Sequence, residues 1–351
     1  MTRRTVLAGF FTVGPAASQT DDSRNTASSL QAVKDNLTPV DVFFVRDHFQ
    51  PAFPSLLDWR LRVEGKVARP FDLTFSDLLL EPTEKREALL ECAGNGPAGY
   101  AVSNGMWEGI PLARLLLQAQ PQAGAQEVLL EGADAGKLHR RAPVFPFSRI
   151  VPLAKCQAPE AMLAFKLNGR YLARKNGFPA RALLPGWYAM DSVKWLRRMV
   201  VLGPAERPPQ FFESGMTEAY IRVREKDGKQ EVARLAEINV KSQVAYPVGE
   251  ARLPAGLLKI WGFAWSGHSR VRRVSVSLNG GKDWAPAAFN GPVKPFTWVR
   301  WSYDWPAKPG EYSLVARAED ESGRVQPLQR DPARKDDYEL NHCAPVRCLV
   351  R

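Results

Sequence analysis

Close spacing of β-branched and aromatic side chains sets up short strands along much of this chain. Residues 40–46 (VDVFFVR) alternate in this way and predict a strand. Residues 60–65 and 71–75 predict two more around a Gly/Pro turn, and 76–80 a short helix with Ser76 at its N-cap. Residues 110–116 predict a second helix, with Pro111 early, where a missing N–H costs nothing. Residues 127–132 and 161–167 predict strands, the latter running into an Asn168-Gly169 turn. Short strands and helices without regular βαβ alternation indicate an α+β unit.

Beyond about residue 236 helical periodicity all but disappears. Residues 257–264, 271–278, 296–304, 311–317 and 346–350 predict strands separated by turns. Asn279-Gly280-Gly281 supplies a hairpin turn that needs positive φ. This texture predicts an all-β sandwich of immunoglobulin-like kind. Residues 224–234, dense in charge and without aromatics, are expected to be the linker. A length of 351 residues also favours two cores over one.

Composition narrows the class. With 45% hydrophobic and 24% charged residues the chain fits a soluble globular protein, and it lacks the roughly 18-residue apolar run of a membrane span. The net charge of +11 is spread over clusters at 137–141, 194–198 and 270–273. No aromatic-interleaved basic stripe or zinc-finger spacing accompanies them, so anion sites and solvated faces are expected and nucleic acid is not. The cysteines at 92, 156, 343 and 348 form no CxxC or CxxCH motif, which disfavours zinc and excludes covalently attached c-type haem. Cys343 and Cys348, five apart, are not expected to pair, and Cys156 is expected to be structural. At the N-terminus, Arg3-Arg4 precedes a short apolar stretch and small residues, the layout of a secretory leader. The adjacent arginines resemble a twin-arginine signal, so 1–20 is set aside as leader and 21–39 as an irregular lead-in.

The most informative residue is Cys92, in Glu91-Cys92-Ala93-Gly94-Asn95-Gly96, where small neighbours let its sulfur meet a large ligand. On its own, a free cysteine is ordinarily a small core hydrophobe. The context is specific: GFPARALLPGW at 177–187 and SVKWLRR at 192–198, then WGFAWSG at 261–267, VSVSLNGG at 274–281 and RAEDESGRVQP at 317–327. In this order and spacing the chain resembles the sulfite oxidase family of molybdenum enzymes over about residues 40–351. The resemblance implies a molybdopterin-binding catalytic domain at 40–235 and an immunoglobulin-like dimerisation domain at 236–351. It also implies molybdenum carried by molybdopterin, with Cys92 as the protein's metal ligand.

The same resemblance gives roles to further residues. Phe44, Arg46 and His48 would grip the pterin, with Arg46 near the metal; Asp134 would bind the pterin ring. Asn176, Arg181, Ser192, Lys194 and Trp195 would hold the rest of the cofactor and its phosphate. Tyr220 would be the active-site tyrosine, completing a catalytic set of Cys92, Arg46 and Tyr220. A phosphate-bearing group and an oxyanion substrate both call for guanidinium forks and cations. Departures bear on the substrate: Pro97 and Pro345 stand where animal-type relatives carry pocket arginines, and Asn176 where a histidine is common. Each lost charge-assisted hydrogen bond costs about 1.5–3 kcal/mol, which weakens capture of a sulfite dianion.

The implied activity is oxygen-atom transfer, foremost oxidation of sulfite or a related sulfur compound to sulfate. With no haem in this chain, electrons would pass to a separate c-type cytochrome, and the enzyme would be a periplasmic homodimer. Two alternatives remain open on the sequence. One is a reductase of nitrate or sulfoxides on the same centre; the other is a cofactor-free binding protein of the same fold.

Overall fold

In the computed structural model, which describes residues 25–26, 30–33, 35–216 and 219–351, five antiparallel strands build the sheet that carries Cys92. Its order is Arg170–Tyr171, Met162–Leu167, Val102–Pro111, Glu84–Glu91, with Arg181–Leu183 also pairing Met162–Leu167. Val102–Pro111 is buried along nearly its whole length although it is not an apolar run, and its buried polar residues are partnered: Asn104 Nδ2 donates to Glu87 Oε1 (2.8 Å) and Glu108 Oε1 accepts from Lys166 Nζ (2.7 Å). A second sheet runs Phe71–Thr74, Arg60–Gly65, Leu196–Leu202, Glu127–Gly136, Phe145–Pro152, with Arg60–Gly65 and Leu196–Leu202 parallel. Leu61, Val63, Val128 and Leu130 of this sheet share one core with Leu89, Ile110 and Leu163 of the first. Each such side chain contributes about 1.5–3 kcal/mol by leaving water. The helix Leu112–Ala119 covers that core with Leu112, Leu115, Leu116 and Ala119, the spacing of one helical face.

Beyond the first domain, two sheets face each other. One runs Lys241–Tyr246, Gly256–Trp265, Val299–Ala307, Ala288–Phe289; the other Ala251–Leu253, Val346–Val350, Gly310–Asp320, Val271–Ser277, Ala285–Pro286. Ile260, Trp301 and Trp305 from one meet Val274, Val276 and Leu314 from the other. The predicted turn is present, with Gly280 at φ 75° and Gly281 at φ 94°. All four cysteines are free. The two domains are not independent: Ala245, Phe263, Trp265 and Trp298 belong to the core of the first domain, with Phe263 and Trp298 stacked at 4.4 Å. Among the described residues no helix is long and apolar enough to cross a membrane.

Several local expectations are corrected. Residues 40–46 form a 3-10 turn at Val40–Val42 and a two-residue strand, Val45–Arg46. Phe43, Phe44 and Val45 are all buried in succession, which an alternating strand cannot do. The helix Phe75–Leu80 is capped by Thr74, not Ser76, because Thr74 and Asp77 form a reciprocal capping box. Pro111 is the N-cap of the next helix and ends a strand that begins at Val102. The strand expected from 296 starts at Val299, since Phe296 sits at φ 60°. The stretch expected as linker is an antiparallel hairpin, Ile221–Lys226 with Lys229–Arg234, turning at Asp227 (φ 50°) and Gly228 (φ 71°). Helices are few and short, so strands dominate the unit expected as α+β. The leader expected at 1–20 lies outside the described residues.

Candidate active site

Cys92 follows directly on the strand Glu84–Glu91, and the loop after it is closed tightly. Cys92 N donates to Ala101 O (2.9 Å), Asn95 N to Cys92 O (2.9 Å), and Ala101 N to Asn95 Oδ1 (3.0 Å). The Cys92 side chain borders a cavity of about 260 Å³. Burial pushes its thiol pKa up, opposed by the Gly94 backbone N–H and by the charge of Arg46. A bound cation would reverse that balance, because a coordinating thiol is deprotonated.

Every residue given a role by sequence lines this one cavity: Phe44, Arg46, His48, Cys92, Asp134, Asn176, Arg181, Ser192, Lys194, Trp195 and Tyr220. Asp134 lies inside the strand Glu127–Gly136, longer than expected, at a break in register between Glu131 and Ala135. Such a bulge re-aims a side chain. Gly132 is required there, since a Cβ would lie 2.6 Å from Asp134 Oδ1 and 2.8 Å from Lys194 O. Arg181 is buried over the Trp107 ring, with Nη1 donating to Asn176 O (3.1 Å) and Nη2 to Ser192 O (2.6 Å). Burial draws its pKa down to about 9. Ser192 Oγ accepts from Leu184 N (3.0 Å), so Ser192 shapes the wall as well as facing the cavity. Lys194 pairs with Asp47 and lies 4.5 Å from the Trp195 ring centre; burial lowers its pKa and Asp47 opposes this.

The mouth is aromatic. His48 Nδ1 and the Tyr220 hydroxyl are 2.7 Å apart, and His48 packs on Phe49 and Phe147. Partial burial, reinforced by Arg149, lowers the His48 pKa. Arg149 lies 5.1 Å from the Tyr220 ring centre, with Nε donating to Asp191 Oδ1 at 2.8 Å. Tyr338, from the second domain, stands 5.7 Å from Tyr220 between ring centres. Sequence reasoning missed Asp47, Phe147, Arg149 and Tyr338. Asp47 was within reach, since it sits inside the Phe43–His48 motif; Tyr338 arrives only through tertiary structure. Among the described residues Pro97 and Pro345 do not line the cavity.

These residues fit a pterin-borne metal. Among the described residues no group of three or more His, Cys, Asp or Glu side chains is placed to hold a bare ion, so a metal on Cys92 must bring its other ligands with it. A pterin dithiolene does that. Asp134 Oδ1 and Asn176 Oδ1 line the cavity, are buried and accept no hydrogen bond. Buried acceptors are nearly always satisfied, and ring N–H groups would satisfy these two. Burial also pushes the Asp134 pKa up to about 7, against the pull of Lys194. Arg181 and Lys194 supply cations for an anionic tail.

Known proteins resemble the chain over both domains. Residues 49–209 match the family described as oxidoreductase molybdopterin binding domain, and 232–333 the Mo-co oxidoreductase dimerisation domain. Sulfite oxidase of Gallus gallus is 32% identical over 319 residues, covering 83% of this chain and 68% of that protein. Mitochondrial sulfite oxidase of Homo sapiens is 30% identical over 322 residues, and the match covers 83% of this chain but 57% of the human protein. A nitrate reductase [NADH] of Ulva prolifera is 30% identical over 343 residues, covering 83% of this chain and 38% of that protein. Among solved structures, the sulfane dehydrogenase SoxCD from Paracoccus pantotrophus is similar with a TM-score of 0.82 at 30% identity, covering 95% of this chain and 86% of that one.

Proposed function

We infer the specific reaction from one premise: the chain belongs to the sulfite oxidase family and is a molybdopterin-dependent oxidoreductase. The reading it supports best is oxidation of sulfite, or a related sulfur compound with a lone pair on sulfur, to the corresponding oxygenated product. For sulfite the balance is sulfite plus water to sulfate, two protons and two electrons. The electrons go singly to an external acceptor, proposed to be a c-type cytochrome. The carrying observation is the convergence of Cys92, Arg46, Tyr220 and the unsatisfied acceptors Asp134 and Asn176 on one cavity.

When bound, the molybdenum–molybdopterin group supplies two-electron oxygen-atom transfer. The chain's own residues supply attachment, orientation and proton handling. Cys92 would hold the metal. Asp134, Asn176, Arg181 and Lys194 would hold the pterin and its phosphate. Arg46 would orient the oxyanion at the mouth. The water that provides the new oxygen releases two protons, and the Tyr220 hydroxyl with His48 Nδ1 forms a 2.7 Å link along which a proton can pass toward the exposed face of His48. A neutral imidazole accepts it, and the lowered His48 pKa keeps that form dominant at neutral pH.

Residues 40–235 are proposed as the catalytic unit and 236–351 as an immunoglobulin-like unit joining two copies. A periplasmic location is proposed as well, on the twin-arginine-like sequence at Arg3-Arg4. A second reading, reduction of nitrate or a sulfoxide, draws on the likeness to nitrate reductase and on an aromatic mouth lacking the two pocket arginines. Turnover with sulfite and ferricyanide supports the first reading. Turnover only with reduced viologen and nitrate or sulfoxide replaces it with the second.

A further inference from the structure

The loop that displays Cys92 is gripped from two sides by the second domain. Lys241, on the strand Lys241–Tyr246, is 1% exposed and extends its ammonium into this loop. An ammonium has three donors, and here three acceptors take them: Glu91 Oε1 at 3.0 Å, Asn95 O at 3.1 Å and Gly96 O at 2.8 Å. Glu91 is 2% exposed; its Oε2 accepts from Trp265 Nε1 at 2.7 Å and its Oε1 from Asn95 Nδ2 at 2.8 Å. Elsewhere on the loop, Glu339 N donates to Ala93 O at 2.7 Å. Tyr338 leaves room at Gly94, where a Cβ would stand 3.9 Å from both its ring and Cys92 Sγ. Residues 91, 93, 95 and 96 are thus anchored by groups of the second domain, while the Cys92 side chain between them is left to face the cavity.

A buried ion pair is a poor device for stability alone. Desolvating two charges offsets most of their attraction, and an apolar pair of the same volume is often as stable. What the pair provides is geometry: a cation with three fixed partners permits one loop conformation. We propose that Lys241 is a positioning residue for metal ligation, fixing from the second domain the direction in which Cys92 presents its sulfur. This rests on the reading that Cys92 holds molybdenum and extends it to the residue that aims the ligand.

The test uses full-length holoenzyme carrying Lys241→Met, and the double variant Glu91→Gln with Lys241→Met. Three quantities are read: the Mo(V) electron paramagnetic resonance signal of protein reduced and then reoxidised by one electron with ferricyanide, the melting temperature, and kcat and KM separately. The single variant leaves Glu91 as a buried unpaired carboxylate and melts lower. The double leaves no charge unpaired and recovers most of the melting temperature. In both, the Mo(V) signal shifts or splits into several forms and kcat falls by up to about 100-fold with KM little changed, as expected for a misplaced reacting group. A double variant that melts like the parent and keeps its Mo(V) signal and kcat overturns the proposal, because the pair is then structural only. Parent protein without molybdenum overturns the underlying reading instead, and the control lane distinguishes the two failures.

Discussion

Holding Tyr220 at a φ of 61° costs on the order of 1–3 kcal/mol, and such strain persists where the surroundings over-determine it. Arg149 beneath the ring, Tyr338 beside it and His48 at its hydroxyl do so. Tyr220→Phe keeps the ring and removes the link to His48. It is expected to lower kcat by about 10²–10⁴-fold, the range for a lost proton-transfer group, with little change in melting temperature; an unchanged kcat excludes the relay. Asp134 gives a pH prediction for cofactor-free protein. Its folded pKa of about 7 lies above the 3.8 of an ordinary aspartate, so its contribution to stability is full below about pH 4 and is lost as pH rises through 7. The difference amounts to at most about 4 kcal/mol. Melting curves across that window should fall with pH in the parent and less so in Asp134→Asn; parallel slopes contradict the assignment. Phe44, Arg46, His48, Arg181, Ser192, Lys194 and Trp195 were legible as cavity residues because they sit in short motifs, Phe43–His48, 177–187 and 192–198. Arg149 was not, because an arginine in a strand reads as surface until its buried partner Asp191 is seen.

At the scale of elements, the strand break at Glu131/Ala135 matters most, since it turns Asp134 into the cavity. Gly132→Ala places a Cβ against Asp134 Oδ1 and Lys194 O, both closer than 3.0 Å, and the latter is backbone that cannot swing aside. The expected result is severalfold lower molybdenum content per chain, read by elemental analysis, in protein that remains folded. Full metal loading would show that this bulge does not shape the cofactor site. Elements with clean alternation or a strong turn, such as Arg60–Gly65 and Met162–Leu167 with its Asn168-Gly169 turn, were readable in advance. Two kinds were not. Residues 40–46 have strand-like composition, but burial of three successive side chains overrides it. Residues 224–234 were judged on charge, although Asp227-Gly228 is a strong hairpin signal with a two-residue turn.

For the whole molecule, the second domain is part of the site's construction. Phe263, Trp265 and Trp298 fill the first domain's core, and Lys241, Tyr338 and Glu339 meet the Cys92 loop or the cavity beside it. A chain ended after residue 235 would expose that aromatic surface. It is expected to be insoluble or molten and to hold no molybdenum; a soluble, metal-loaded fragment would show that the domains are separable. Little of this coupling was visible in sequence, where a change of texture near residue 236 suggests two units but says nothing about what passes between them.

The central claim is that one thiolate at this cavity carries a pterin-chelated metal that sulfite reduces. Electron paramagnetic resonance on protein treated with sulfite and then reoxidised by one electron with substoichiometric ferricyanide, beside its Cys92→Ser variant, tests it most directly. The account predicts a Mo(V) signal in the parent, and no signal or turnover in a variant that melts normally. A serine variant with full turnover, or a parent that purifies without molybdenum, contradicts it.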